Sequence, residues 1–249
     1  MRLNSRLIVL VVLCTSPVLA QEGVPGEILG RTQLVRIGNL DGTAFSIDHN
    51  GKLFLITARH MVSGLPITGG NIQIGRNGAW LNYPITKVLF PEAPDVDIAV
   101  LETNEKVEKP YGITIASGEE GPTFGEVVWF LGYPYDLHTH LANGELPFIK
   151  RGTMSAIDAT NPKAVVIYID GFNNPGFSGG PVVYFDLKAH AYRLIAVVQG
   201  FREDHASVLV NGQHVPTPVL VNSGILIAYN LRHAVEAITA EEQHESGKK

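Results

Sequence analysis

Asn174-Pro175-Gly176-Phe177-Ser178-Gly179-Gly180-Pro181 runs straight into Val182-Val183-Tyr184-Phe185. A serine stands among glycines in a turn, and an apolar, partly β-branched run follows at once. The segment satisfies Gly-x-Ser-x-Gly, the spacing of a serine presented on a sharp turn between a strand and a helix. The residues after the serine oppose a helix. Pro181 and the strand-like Val182 to Phe185 favour extended backbone. Ser178 therefore reads as the end of a loop that enters a strand.

Working outward, strand signals fill most of the chain. They are Gln33 to Ile37, Ala44 to Asp48, Lys52 to Thr57, Asn71 to Ile74, Trp80 to Leu89, Ile98 to Glu102 and Glu126 to Gly132. Lys150 to Ile157, Ala164 to Asp170, Pro181 to Phe185, Tyr192 to Gln199 and Gly224 to Ala228 continue the series. His49-Asn50-Gly51 between two such runs marks a hairpin, because a tight turn there needs positive φ. Strand and helix do not alternate, so a doubly wound sheet is not expected. Many short strands with turns between them point to a sandwich or barrel. Only the end reads as helix, with Asn230 as a possible cap and Leu231, Ala234, Val235 and Ile238 as its apolar stripe. Glu241 to Lys249 reads as a fraying polar tail. A boundary is expected near Ser117 to Thr123, where glycines and a proline interrupt the strands.

The 249 residues are 45% hydrophobic and 17% charged, with a formal net charge of −5. That supports a sizeable core and excludes a disordered chain. The acidic balance does not suggest a nucleic-acid partner. Arg2, Arg6, the apolar run Leu7 to Cys14 and Val18-Leu19-Ala20 read as a signal peptide, residues 1–20, cleaved after Ala20. The apolar run is too short to span a bilayer, and no membrane association is expected after cleavage. Cys14 is the single cysteine and leaves with the signal, so neither disulfides nor a thiolate metal cluster are expected. The mature chain, beginning at Gln21, is expected in the periplasm or outside the cell.

Three segments carry chemistry: Leu55-Ile56-Thr57-Ala58-Arg59-His60-Met61-Val62, Asp95-Val96-Asp97-Ile98-Ala99-Val100-Leu101, and the Ser178 loop. Each alone is weak, since a histidine at a strand end or an Asp before a strand is more often structural. In the order His, Asp, Ser, together they resemble the chymotrypsin-type serine peptidases, and most closely the disulfide-free bacterial Deg-type enzymes. Thr57-Ala58-Arg59-His60 looks like the family's Thr-Ala-Ala-His segment, and Asp97-Ile98-Ala99-Val100-Leu101 like its Asp-Ile-Ala-Leu-Leu segment. Leu131-Gly132-Tyr133-Pro134 and Gly152-Thr153-Met154-Ser155 are secondary matches. The resemblance covers roughly residues 31 to 238. It implies an all-β fold of two packed six-stranded antiparallel β-barrels with a short C-terminal helix. The divisions expected are 21–30 as an N-terminal segment, 31–120 as the first barrel, 121–229 as the second and 230–249 as helix and tail. It implies a serine endopeptidase with His60, Asp97 and Ser178 as triad and the N–H groups of Gly176 and Ser178 as oxyanion hole. Asp95 is the competing carboxylate, but only Asp97 matches the motif.

Where trypsin-like zymogens carry an Asp beside the serine, this chain has Phe177. The ion pair with a newly cut N-terminus is therefore not expected. The specificity pocket implied by the same alignment has Phe172 at its floor, Val198, Gln199 and Gly200 on one wall and Gly224 opposite. With no acid there, cleavage after Arg or Lys is not expected. The α/β-hydrolase alternative wants a helix after the serine and an acid, then a histidine, downstream. A catalytically silent protease-fold binding protein is the non-enzymatic alternative. His138-Thr139-His140 reads as a solvated polar loop, because no carboxylate or third histidine lies close by in sequence. No metal or cofactor is expected. The expected partner is a polypeptide substrate.

Overall fold

The computed structural model describes residues 23–106, 114–115, 121–141 and 144–247. The expected signal peptide with Cys14 lies outside the described residues, as do residues 117–120 of the expected boundary. Helix α1 (Gly26–Arg31) precedes strands β1 (Thr32–Ile37), β2 (Leu40–His49), β3 (Lys52–Thr57), β4 (Asn71–Arg76), β5 (Ala79–Pro84), β6 (Lys87–Leu89) and β7 (Ala99–Lys106). They form one antiparallel sheet in the order β5-β4-β1-β2-β3-β7-β6. Only Ile85 and Thr86 separate β5 from β6. Because β5 pairs with β4 and β6 with β7, one bent strand closes the sheet into a ring of six. The bend is tied down by the Ile85 N–H donating to Gly70 O at 2.9 Å and the Gly69 N–H donating to Thr86 O at 2.8 Å.

The second half contains β8 (Thr114–Ile115), β9 (Val127–Gly132), β10 (Thr139–Leu141), β11 (Gly144–Leu146), β12 (Phe148–Asp158), β13 (Val166–Asp170), β14 (Pro181–Asp186), β15 (Ala191–Val210) and β16 (Gln213–Asn230). Its sheet runs β14-β9-β12-β13-β16-β15, and β14 also pairs with β15, again closing six strands. β8 is added in parallel to β15, although sequence placed residues 114–115 with the first half. β10 and β11 make a separate hairpin.

Side-chain alternation builds the layers. Leu55 of β3 joins the interior of the first barrel with Val35, Ile74 and Leu101. Its neighbours Phe54 and Ile56 point the other way, into a layer shared with Val183, Leu194 and Val197 of the second half. Val128, Phe130, Ile169 and Leu226 fill the second barrel. Each fully buried side chain of this kind contributes about 1.5–3 kcal/mol.

Two elements exceed their sequence expectation. The last helix, α2 (Arg232–Ser246), does not fray at Glu241. Glu241 pairs with Lys87, Glu242 accepts from Asn50 Nδ2 at 2.9 Å, and Glu245 lies 3.8 Å from Lys52, so its end is held on the first barrel. Asn230 does act as a cap, its Oδ1 accepting the Arg232 N–H at 2.9 Å. The β15–β16 pair runs well past the expected Tyr192 to Gln199 and Gly224 to Ala228. It turns on Asn211 and Gly212, both in the left-handed region at φ 53° and 77°. Leu209, Val210, Val219 and Leu220 are exposed on this arm.

Candidate active site

His60 lies in a single 3₁₀ turn, Arg59–Val62, directly after β3. The buried Met61 and Val62 anchor that turn, leaving the His60 side chain 47% exposed. Asp97 stands between the fully buried Val96 and Ile98, just before β7. It grips the histidine twice. Oδ1 accepts the His60 N–H at 2.9 Å, and Oδ2 lies 2.7 Å from His60 Nδ1. A carboxylate accepts only, so Nδ1 carries the hydrogen and Nε2 is left with its lone pair in the neutral ring. Asp95, the competing acid, is exposed. The pKa of the Tyr229 phenol is raised, by burial first and by the Asp97 and Asp95 charges next.

Ser178 belongs to the second half, yet its loop is fastened to the first. Gly179 has φ +82°, and a Cβ there would stand 2.3 Å from Thr57 Oγ1 and 2.8 Å from the Ala58 nitrogen. This contact presses the serine loop onto the two residues that lead into Arg59 and His60. The Gly179 N–H donates to Val198 O at 2.8 Å, and the Val198 N–H to Gly180 O at 2.9 Å. The Ser178 hydroxyl donates to Gln199 O at 3.0 Å. Gly176 has φ +101°, and a Cβ on it would meet Tyr133 O at 2.2 Å. Only glycine allows that approach. Among the described residues, the N–H groups of Gly176 and Ser178 have no acceptor. Two free donors in such a loop suit a developing oxyanion. Phe177 is fully buried and meets Phe130 edge-on, ring centroids 5.2 Å apart.

A cleft of about 510 Å³ is lined by His60, Asp97, Gln199, Gly200 and Phe201, among others. Two expected pocket residues lie elsewhere. Phe172 is 56% exposed and forms no buried floor. Val198 is fully buried with its side chain in the second barrel core, because alternation along β15 turns it inward. Gly224 O accepts the Gly171 N–H at 2.9 Å, tying the expected wall residue to the neighbour of Phe172 through backbone alone.

Several residues near the site carried no sequence signal. Thr43 donates its hydroxyl to Gly176 O at 2.7 Å and accepts the Tyr133 N–H at 3.2 Å. Lys150 Nζ donates to Phe172 O at 2.8 Å and to Asn174 Oδ1, and burial lowers its pKa. Asn173 is buried with Oδ1 unpaired, while its carbonyl accepts from Asn222 Nδ2 at 2.6 Å. A threonine in a strand or a lysine in a barrel resembles any other until the chain folds back on it.

His138-Thr139-His140 is not a solvated loop. Thr139 and His140 belong to β10, and His140 lies opposite Glu145 of β11. The carboxylate comes from the facing strand, where neighbours along the chain do not reveal it.

A family model described as a trypsin-like peptidase domain matches residues 42–188. No curated protein matches the chain. Among solved structures, the inactive form of the Rv3671c protease, from M. tuberculosis, is similar at a TM-score of 0.53 and 18% identity. The match covers 86% of this chain and 89% of that one. A serine endoprotease from Yersinia pestis gives a TM-score of 0.55 at 18% identity, over 88% of this chain and 67% of that one. An HtrA-type protease, AlgW with a tripeptide, gives 0.54 at 19% identity, over 88% and 64%. At these identities the likeness is one of fold.

Proposed function

Because this chain belongs to the trypsin-like peptidase domain family and is a serine-type endopeptidase by that membership, we propose that His60, Asp97 and Ser178 form its catalytic triad. The observation that carries the assignment is the double grip of Asp97 on His60, at 2.9 and 2.7 Å. It aims an unprotonated Nε2 away from the acid, where a base is needed. Ser178 Oγ attacks the scissile carbonyl carbon while its proton passes to His60 Nε2. The tetrahedral oxyanion is held by the N–H groups of Gly176 and Ser178. The C–N bond then breaks, His60 delivers the proton to the leaving amine, and water hydrolyses the acyl-enzyme by the same route. The Ser178 hydroxyl must first leave Gln199 O, a rotation about one side-chain bond. The expected units 31–120 and 121–229 would then divide the work, the first supplying acid and base and the second the nucleophile.

The substrate is a polypeptide laid along Gln199, Gly200 and Phe201. Residues 1–20 direct export to the periplasm or the exterior. Among the described residues, no helix is long and apolar enough to cross a membrane. A fluorophosphonate probe tests the triad. Labelling of Ser178 that disappears in Ser178→Ala supports it. A folded wild-type chain that takes no label is instead a silent binding scaffold, for which the Ser178–Gln199 bond would be the resting state.

A further inference from the structure

We propose that His138, His140 and Glu145 form a binding site for a borderline transition-metal ion, zinc(II) in the first instance, which braces the segment beneath the oxyanion loop. The backbone places all three side chains together. His140 and Glu145 are directly opposed across β10 and β11, so they project from the same face of the hairpin. His138 immediately precedes β10, and its ring centroid lies 4.2 Å from that of His140. One ligand atom from each lies within 4.8 Å of those of the other two. They are the only such trio among the described residues.

The hydrogen bonding around the trio favours a cation. His138 Nδ1 lies 2.7 Å from Asp136 O, which can only accept, so Nδ1 carries the hydrogen. A ring nitrogen anchored in this way on a backbone carbonyl is the usual support of a metal-binding imidazole. The opposite nitrogen, Nε2, is buried and makes no hydrogen bond, and Glu145 Oε1 faces it at 3.2 Å. In the neutral ring this sets two electron pairs against each other in a site where the side chains are 12% and 6% exposed. Zinc–ligand bonds of about 2.0–2.2 Å put neighbouring ligand atoms about 3.4 Å apart, so His138 and Glu145 already have that spacing. His140 is exposed and supplies both the third ligand and the entry path. Two imidazoles and one carboxylate suit zinc, whereas magnesium and calcium want a cage of oxygens. A fourth position stays open to water.

The site lies where two parts of the molecule meet. Glu145 Oε1 accepts the Gly78 N–H of the β4–β5 turn at 2.7 Å, tying the hairpin to the first barrel. The hairpin grows out of the turn Pro134–Asp136, in which Tyr135 and Asp136 sit at φ 52° and 59°. The Tyr135 N–H donates to Pro175 O at 3.2 Å, next to Gly176. A metal on the three side chains would therefore hold the support of the oxyanion loop against the first barrel. Its assignment does not depend on the peptidase activity.

The test is calorimetric titration of the chelator-treated mature chain with zinc chloride, with magnesium chloride as the control. It is run in the natural chain and in His60→Ala, which removes the imidazole paired with Asp97. The expected result is one zinc per chain in both, no uptake of magnesium, and a Tm higher by roughly 5 °C at about hundred-fold excess over Kd. His140→Ala alters an exposed side chain, so the fold survives, and it should weaken zinc on the order of 100-fold. Glu145→Gln should do likewise. Cobalt(II) in place of zinc should show the visible bands of a tetrahedral site, lost in His140→Ala. No zinc uptake in the His60→Ala chain, or uptake unchanged by both substitutions, would overturn the proposal. The first result would leave a protonated His138 paired with Glu145.

Discussion

Thr43 of the first barrel holds Ser178 of the second by its backbone, the Thr43 N–H donating to Ser178 O at 3.0 Å. Its hydroxyl extends the hold to Gly176 O at 2.7 Å and to the Tyr133 N–H at 3.2 Å. The nucleophile loop is thus fastened across the barrel interface by one fully buried residue. Thr43→Val keeps the shape and removes the hydroxyl. Two buried polar groups then lose a partner, which should cost about 2 kcal/mol. Urea unfolding should show that loss, and kcat should fall more than KM rises. Unchanged stability and unchanged kcat would show that the clamp does not matter.

Gly176 tolerates no side chain. A Cβ would stand 2.2 Å from Tyr133 O, and the backbone already sits at φ +101°. Gly176→Ala should turn its N–H away from the cleft. The loss of one oxyanion donor costs roughly 10²–10³ in kcat. Steady-state kinetics on a peptide ester, with circular dichroism to verify folding, measures it.

The triad should behave as a unit. Ser178→Ala should lower turnover roughly 10⁴-fold or more, and adding His60→Ala or Asp97→Asn should lower it little further. A residual rate that multiplies down with each substitution would contradict the shared role. Thiol-directed inhibitors should have no effect on the mature chain from Gln21, since the single cysteine is Cys14.

Cleavage should not favour Arg or Lys on the acyl side. The stretch from Gly171 to Phe177 holds no acid, and Lys150 already donates to Phe172 O at 2.8 Å there. Lys150→Met should loosen that stretch and lower kcat/KM about ten-fold, because two acceptors lose their donor. Cleavage of a peptide library by both chains checks specificity and rate together. The buried Phe177 also leaves no partner for a new N-terminal ammonium, so the chain from Gln21 should be active without further trimming.

Stability should fall in mild acid through His233. The Val165 N–H donates to its Nε2 at 3.0 Å, which requires the neutral ring. Burial lowers its pKa, with Glu236 opposing. Below about pH 6.5 the unfolded chain takes up this proton more readily than the folded one. The His233 contribution is therefore intact above that pH and is lost as the pH falls through the folded value. Urea midpoints measured from about pH 7 down to about pH 5 should decline, and His233→Gln should flatten that part of the slope.

Much of the architecture was legible along the chain because it rests on short-range chemistry. Pro181 and the apolar run behind it made the serine loop enter a strand. Asn50-Gly51 marked its hairpin, since both residues accept positive φ. Asn211-Gly212 offered the same signal, but the polar stretch Arg202 to His205 before it hid the long arm of β15 and β16. The bend at Ile85 and Thr86 was not legible. It depends on hydrogen bonds to Gly69 and Gly70 that exist only once the sheet curls.

By itself the sequence determined the all-β class and the order of His60, Asp97 and Ser178, because strand periodicity and motif spacing are written residue by residue, whereas the two six-stranded barrels were implied only by the resemblance those motifs carry. Tertiary structure alone decided what surrounds them. Thr43 rather than any marked residue clamps the serine loop, and Phe172 turns outward. Glu145 meets His138 and His140 only because a hairpin folds it back. Each of these is a contact between groups distant along the chain or on facing strands. Such contacts follow from how curled sheets close and pack, which no local pattern encodes.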